Sequence, residues 1–261
     1  MTAKRLALFL CDTPIPAVLS TDGDYTAIFN DLLRKALPDS SATFTLDPYD
    51  VRNKMEYPEG VDRYDGIILT GSAASAYENL EWINTLVAYI ASIAETKQRV
   101  KLIGICFGHQ IISRALGKDC VPNSGLWEIG PTPLGLTDTG KQLFGVNDLN
   151  IEQMHRDHVP ELPPGCELLG STSICYNQGF IRCYDASKPA TAPENIQIFT
   201  VQGHPEFTKR IVDSIVDART SSGAIDPLTA EDARKRSAWR NDGVDVIGRA
   251  IWRILGVHAS P

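Results

Sequence analysis

Val100-Lys-Leu-Ile-Gly-Ile-Cys-Phe-Gly-His-Gln110 decides the fold. Up to Ile105 it is a short, branched, apolar run. From Ile111 onward, Ile111, Ile112, Ala115 and Leu116 recur at helical spacing. A strand therefore gives way to a helix across a turn that holds one cysteine, Cys106, between Gly104 and Gly108. A nucleophile between glycines at such a turn has the elbow geometry of G-x-S-x-G serine enzymes. The helix N-terminus behind Cys106 favours an anion, and the thiolate is the reactive form of cysteine. An isolated cysteine is more often a small buried hydrophobe. Flanking glycines and a strand-end position favour a reactive thiol here.

Working outward, other short apolar runs alternate with helical patterns. Arg5–Leu10, Ala42–Leu46 and Asp65–Thr70 precede the decisive stretch, and each has the look of a strand covered on both faces. Ile28, Leu32 and Leu33 share a helical face, and Ile83, Leu86, Val87, Ile90 and Ile93 make a clearer stripe. Alternation of this kind predicts βαβ units and a parallel sheet with all its strand C-termini on one edge, where open α/β sheets bind ligands. From about Cys120 to Val201, Leu126–Ile129, Ile151–His155 and Cys166–Leu169 are separated by Pro- and Gly-rich turns, which predicts antiparallel strands. Ile196–Val201 is another strand. The tail is helical: Ile211, Ile215 and Val216 share a face, Thr229-Ala-Glu-Asp232 resembles a capping box opening a helix to near Arg240, and Val244, Ile247, Ile251 and Leu255 form a last stripe.

The 261 residues suit one large domain or one with an accessory segment. With a net charge of −7 and no basic run longer than Arg234-Lys-Arg236, nothing suggests a nucleic-acid footprint. No apolar stretch approaches a membrane span. Leu6–Cys11 is too short for a signal-peptide core and Asp12 follows at once. The six cysteines form no CxxC pair, so free thiols and a cytoplasmic location are expected.

A thiolate needs a base, and the base needs an orienter. His204 follows the strand 196–201 on the same sheet edge as Cys106, and Glu206 lies two residues on, past a proline. At a side-chain period of two, both point to one side. Leu69-Thr-Gly71-Ser72 ends another strand, and a glycine there lets backbone N–H groups approach a substrate.

Three parts on one edge resemble the class I (triad) glutamine amidotransferases. Gly104-Ile-Cys-Phe-Gly-His-Gln110 and Gly203-His-Pro-Glu206 match that family's two most specific motifs, and Tyr64–Ser72 matches its oxyanion strand and loop. The likeness spans roughly residues 5–216. It implies a three-layer, flavodoxin-like open sheet, mostly parallel, with an antiparallel strand insertion and C-terminal helices. The family domain is expected over 1–221, with 222–261 as a helical extension packed on it. The resemblance also implies Cys106 as nucleophile, His204 as base and then acid, and Glu206 as orienter. Backbone N–H groups of Gly71 and Phe107 would meet the oxyanion, and Gln110 and the backbone around His155 would meet the glutamyl substrate. No metal or cofactor is implied, and His155-x-x-His158 lacks a third ligand motif for zinc. One departure from the family is Gly117-Lys-Asp-Cys120-Val, where Gly-Gly-x-Val is usual, which leaves the local strand geometry open.

Among members, the stretches Leu6–Leu10, Tyr64-Asp-Gly66, Gly104–Ile112 and Val201–Glu206 resemble the stand-alone plant γ-glutamyl peptidases, which remove glutamate from glutathione conjugates. The expected activity is cleavage of a γ-glutamyl amide through a thioester, on a small-molecule γ-glutamyl substrate. Two alternatives stay open: a glutaminase subunit serving a synthetase on another chain, and a non-catalytic binding protein on the same scaffold. A homodimer is also left open. Tyr25 and Phe29 are candidates to line the cleft.

Overall fold

The computed structural model describes residues 3–38, 41–185, 187–188 and 192–259. Strand β1 (Ala3–Leu10) leads through helices α1 (Pro16–Asp22) and α2 (Tyr25–Ala36) to β2 (Thr43–Asp50). Next come β3 (Gly66–Leu69), α3 (Glu81–Thr96), β4 (Lys101–Ile105) and α4 (Phe107–Ala115). The middle of the chain contributes β5 (Val121–Pro122), β6 (Glu128–Leu136), α5 (Asp138–Phe144), β7 (Leu149–His155) and β8 (Asp157–His158). It continues with β9 (Cys166–Leu168), β10 (Gly170–Ser171), β11 (Phe180–Cys183) and β12 (Ile196–Val201). The tail is α6 (Lys209–Ser221), α7 (Pro227–Arg236) and a wide π turn, Gly243–Gly248, that runs into α8 (Arg249–Ile254).

Seven strands form one sheet in the order β2-β1-β3-β4-β12-β11-β9. The pairs from β2 to β12 are parallel; β11 and β9 join antiparallel. Side chains alternate between the two faces, as the pleat requires. Leu6 and Leu8 enter one buried cluster with Phe29, Leu33 and Trp252, while Ala7 and Phe9 enter the other with Ile83, Leu86 and Ile111. Both faces are therefore covered by helices, which explains why the central strands read as continuous apolar runs. The α/β class and the mostly parallel sheet agree with the sequence reading. The antiparallel strands fall in the middle segment, as expected: β6 and β7 pair antiparallel beside the main sheet.

Several local expectations need correction. β2 is longer than its apolar run and lies at the sheet edge, half exposed, with Pro48 inside it. An edge tolerates a residue with no N–H to donate. The helix expected from Thr229 begins at Pro227 instead. Its cap is Asp226, whose carboxylate accepts from the N–H groups of Leu228 and Thr229, and it stops at Arg236. The atypical stretch after Gly117 becomes a two-residue bridge in which β5 pairs antiparallel with β8. No helix among the described residues is long and apolar enough to cross a membrane.

Candidate active site

The parallel register brings the ends of β3, β4 and β12 level, with Leu69 beside Gly104 and Ile105 beside Val201. Cys106 is the next residue after β4 and sits at φ 51°, a region that costs a side-chain-bearing residue on the order of 1–3 kcal/mol. Its neighbours hold it there. The Cys106 N–H donates to Val201 O at 2.9 Å. A Cβ on Gly104 would come within 2.7 Å of the Gly108 carbonyl, and one on Gly108 within 2.5 Å of Leu69 O. The two glycines are thus what let α4 start against β3 and β4 at this turn.

His204 lies just past β12, its N–H donating to Glu152 O at 2.8 Å and its ring stacked on Phe207 with centroids 4.0 Å apart. Its Nδ1 is 2.8 Å from Glu206 Oε1, and the Cys106 side chain is the other charged group acting on its ring. All three residues are buried. Burial pulls the imidazole's pKa down, but the negative charges of Cys106 and Glu206 outweigh it and hold His204 above its ordinary value. Such a trio can carry a negative sulfur beside an imidazolium whose tautomer and tilt are fixed by a carboxylate.

Gly71 closes the other side. A Cβ there would lie 2.8 Å from His204 Cε1 and 3.7 Å from the Cys106 Cβ, so only glycine admits this approach. The hydrogen bonds of the described residues include none from the N–H of Gly71 or Phe107. Asp12, straight after β1, pins the loop. Its carboxylate accepts from Ala73 N–H at 2.7 Å and from the Ser72 hydroxyl at 3.2 Å, and is itself held by Arg52. Asp12 carried no signal beyond closing an apolar run, because its partners lie 40 to 61 residues away.

Two chambers meet at Cys106, and Ser72, Ala73, Met154 and Arg219 also line both. One is polar and lined by Gln110, His155, Arg156 and Asp157. Gln110 Nε2 donates to Asp157 O (3.2 Å) and to Gln202 Oε1 (3.1 Å). His155 is buried with Nδ1 3.0 Å from Asp157 O and Nε2 2.9 Å from Glu128 Oε2. The other chamber is walled by Ile15, Val18, Tyr25, Phe207, Ile211 and Ile215. Tyr25 thus lines the cleft, whereas Phe29 is packed in the core.

Arg219, on α6, escaped sequence reading because nothing in a solvated-looking helix marks one arginine among several. Its guanidinium carbon sits 5.3 Å from the centre of the Trp127 ring, and that of Arg156 sits 5.6 Å from the same ring. Among the described residues, Glu128, His155 and Cys175 form one group close enough to hold a metal, with ligand atoms within 4.8 Å. Each is already engaged. Glu128 accepts from the Thr172 hydroxyl at 2.5 Å and the Gln178 amide at 2.6 Å, and the Cys175 thiol donates to Asn177 O. Burial raises the Glu128 pKa, yet His155 and these donors hold the carboxyl below its usual range. The group is a hydrogen-bonded support behind the polar chamber, and His158 is not part of it.

A model of the family "Glutamine amidotransferase class-I" matches residues 23–216. A glutamine amidotransferase-like protein of Schizosaccharomyces pombe is 35% identical over 238 residues, covering 89% of this chain and 91% of that one. Gamma-glutamyl peptidase 3 of Arabidopsis thaliana is 28% identical and covers 88% of each. Among solved structures, a glutamine amidotransferase of Thermotoga maritima superposes with a TM-score of 0.68 at 20% identity, covering 97% of this chain and 98% of the other.

Proposed function

Because the chain belongs to the class I glutamine amidotransferase family, we propose that it is a cysteine-dependent hydrolase of γ-glutamyl amide bonds, acting on a γ-glutamyl peptide or glutathione conjugate. The observation that carries this reading is Cys106, held at a positive φ on a strand-to-helix turn beside a histidine that Glu206 orients at 2.8 Å.

The Cys106 thiolate adds to the γ-carbonyl carbon, and the N–H groups of Gly71 and Phe107 receive the oxyanion. His204 gives its proton to the leaving nitrogen as the C–N bond breaks, leaving a γ-glutamyl thioester and a free amine. Water then adds to the thioester while His204 takes its proton. The C–S bond breaks, glutamate leaves and the thiolate returns. The polar chamber suits the charged amino acid head of the γ-glutamyl group.

Glutamate release by the purified chain, with glutathione, an S-conjugate and glutamine offered side by side, tests this. Glutathione compounds are expected to be cleaved without a partner, and Cys106→Ala to release no glutamate while keeping its circular dichroism spectrum. Wild-type-like turnover by that variant would sink the mechanism. Release from glutamine alone would point instead to a glutaminase that feeds a separate synthetase.

A further inference from the structure

Resting on that γ-glutamyl reading, we propose that Arg219 is a specificity residue that binds a free carboxylate on the leaving amine, and that this amine also carries an apolar side chain. Cleavage at Cys106 divides the substrate in two, and the two halves must occupy opposite sides of the sulfur. The polar chamber takes the glutamyl half. The leaving half then faces the wall made by Ile15, Val18, Tyr25, Phe207, Ile211 and Ile215. Ammonia needs no such space. That wall is apolar and opens beside Cys106, and burying apolar surface against it contributes to binding.

The charge that belongs with that half is visible in what Arg219 lacks. Every other arginine that is partly sheltered from solvent donates to an oxygen: Arg52 to Asp12, Arg114 to Ala76 O, Arg182 to Gln197, Arg236 to Asp232 and Arg253 to Leu143 O. Among the described residues Arg219 alone of this group has a guanidinium with no hydrogen bond or ion pair, and that guanidinium lies over the Trp127 ring. Burial lowers the guanidinium's pKa, and the charges of Cys106 and Asp12 offset that only in part, so a directly paired anion is what the site lacks. Asp12, the acid lining this chamber among the described residues, is already taken by Arg52, Ser72 and Ala73. Among the described residues, Arg219 is the only arginine or lysine lining the apolar chamber, whereas the polar chamber has Arg156 besides. A carboxylate on the leaving half would complete Arg219 with a forked pair of charge-assisted hydrogen bonds.

The test is kcat/KM for glutamate release from γ-glutamyl-leucine, γ-glutamyl-isopentylamide (the same side chain without its carboxylate) and γ-glutamyl-glycine. The leucine compound is expected to exceed the isopentylamide by about 10- to 100-fold, chiefly in KM, and the glycine compound by a smaller factor. In Arg219→Ala the first ratio should collapse toward one, and Arg219→Lys should restore part of it. A wild-type ratio near one overturns the proposal without any variant. So does an Arg219→Ala that slows both substrates equally, since that result would assign Arg219 to the glutamyl head. Equal rates on the leucine and glycine compounds would overturn the apolar half of the proposal. No glutamate from any compound would overturn the γ-glutamyl reading beneath it, a result distinct from release without selectivity.

Discussion

His204 has an environment that pulls two ways: burial favours the neutral ring, and the charges of Cys106 and Glu206 favour the protonated one. The charges win, so the imidazolium persists through neutral pH, and the rate should fall only when alkali removes that proton. Deleting the Glu206 charge while keeping a hydrogen-bonding amide removes part of what holds the proton on. Glu206→Gln is therefore expected to move the descending limb of kcat/KM to lower pH by roughly one unit, with a lower plateau. A pH profile of the two enzymes on one γ-glutamyl substrate measures this, and an unmoved limb would mean that Glu206 only shapes the turn. Cys106, His204 and Glu206 were readable in the chain because each sits in a short motif whose neighbours make the local geometry. Arg219 and Asp12 were not, because what distinguishes them is the presence or absence of a partner far away in sequence.

The same division holds among elements. β1, β3, β4 and β12 lie between two helical layers, and burial on both faces leaves an uninterrupted apolar signature. α2 and α3 run 12 and 16 residues, long enough for a stripe to repeat. α1 and α5, at seven residues each, span two turns and give periodicity nothing to repeat over. β7 is the unusual case, for its Glu152 is buried in a strand whose every residue is buried. One carboxylate oxygen has no hydrogen-bond partner among the described residues. Burial raises its pKa, Asp213 adds to the rise, and His204, Arg236 and Lys209 only partly offset it, leaving the group pushed up from 4.5 to about 7. A carboxyl that holds its proton more tightly when folded stabilises the fold at low pH. That contribution is lost as pH rises from about 4.5 through 7, because the folded chain must then either keep the proton or bury a charge. The difference corresponds to roughly 3 kcal/mol. Glu152→Gln should leave stability nearly unchanged at pH 4.5 and raise it by up to about 3 kcal/mol at pH 8, as urea unfolding at the two pH values would show. A variant equally or less stable at pH 8 would mean that the carboxylate finds compensation when ionised.

At the scale of the whole molecule, the last forty residues bear on the site from behind. Asn241 donates to Phe207 O at 3.0 Å, and Gly243 lies so close to the turn after His204 that a Cβ would meet Pro205 O at 2.5 Å. Further along, Trp252 is wholly buried, its Nε1–H donating to Leu33 O at 2.9 Å and its ring set edge-on to Phe44 at 5.2 Å. We propose on this basis that residues 222–261 and 1–221 are one folding unit. Two variants separate support of the turn from support of the core. Trp252→Ala removes a large side chain between α2 and β2 and should cost about 3–5 kcal/mol, with unfolding still a single transition. Gly243→Ala instead displaces Pro205 and should lower kcat by on the order of tenfold through His204, because small misplacements at a reacting centre are expensive in rate. Were the tail an independent appendage, Trp252→Ala would melt it in a separate early transition while residues 1–221 stayed folded and active. Coincident loss of structure and activity in one transition is what a shared core requires.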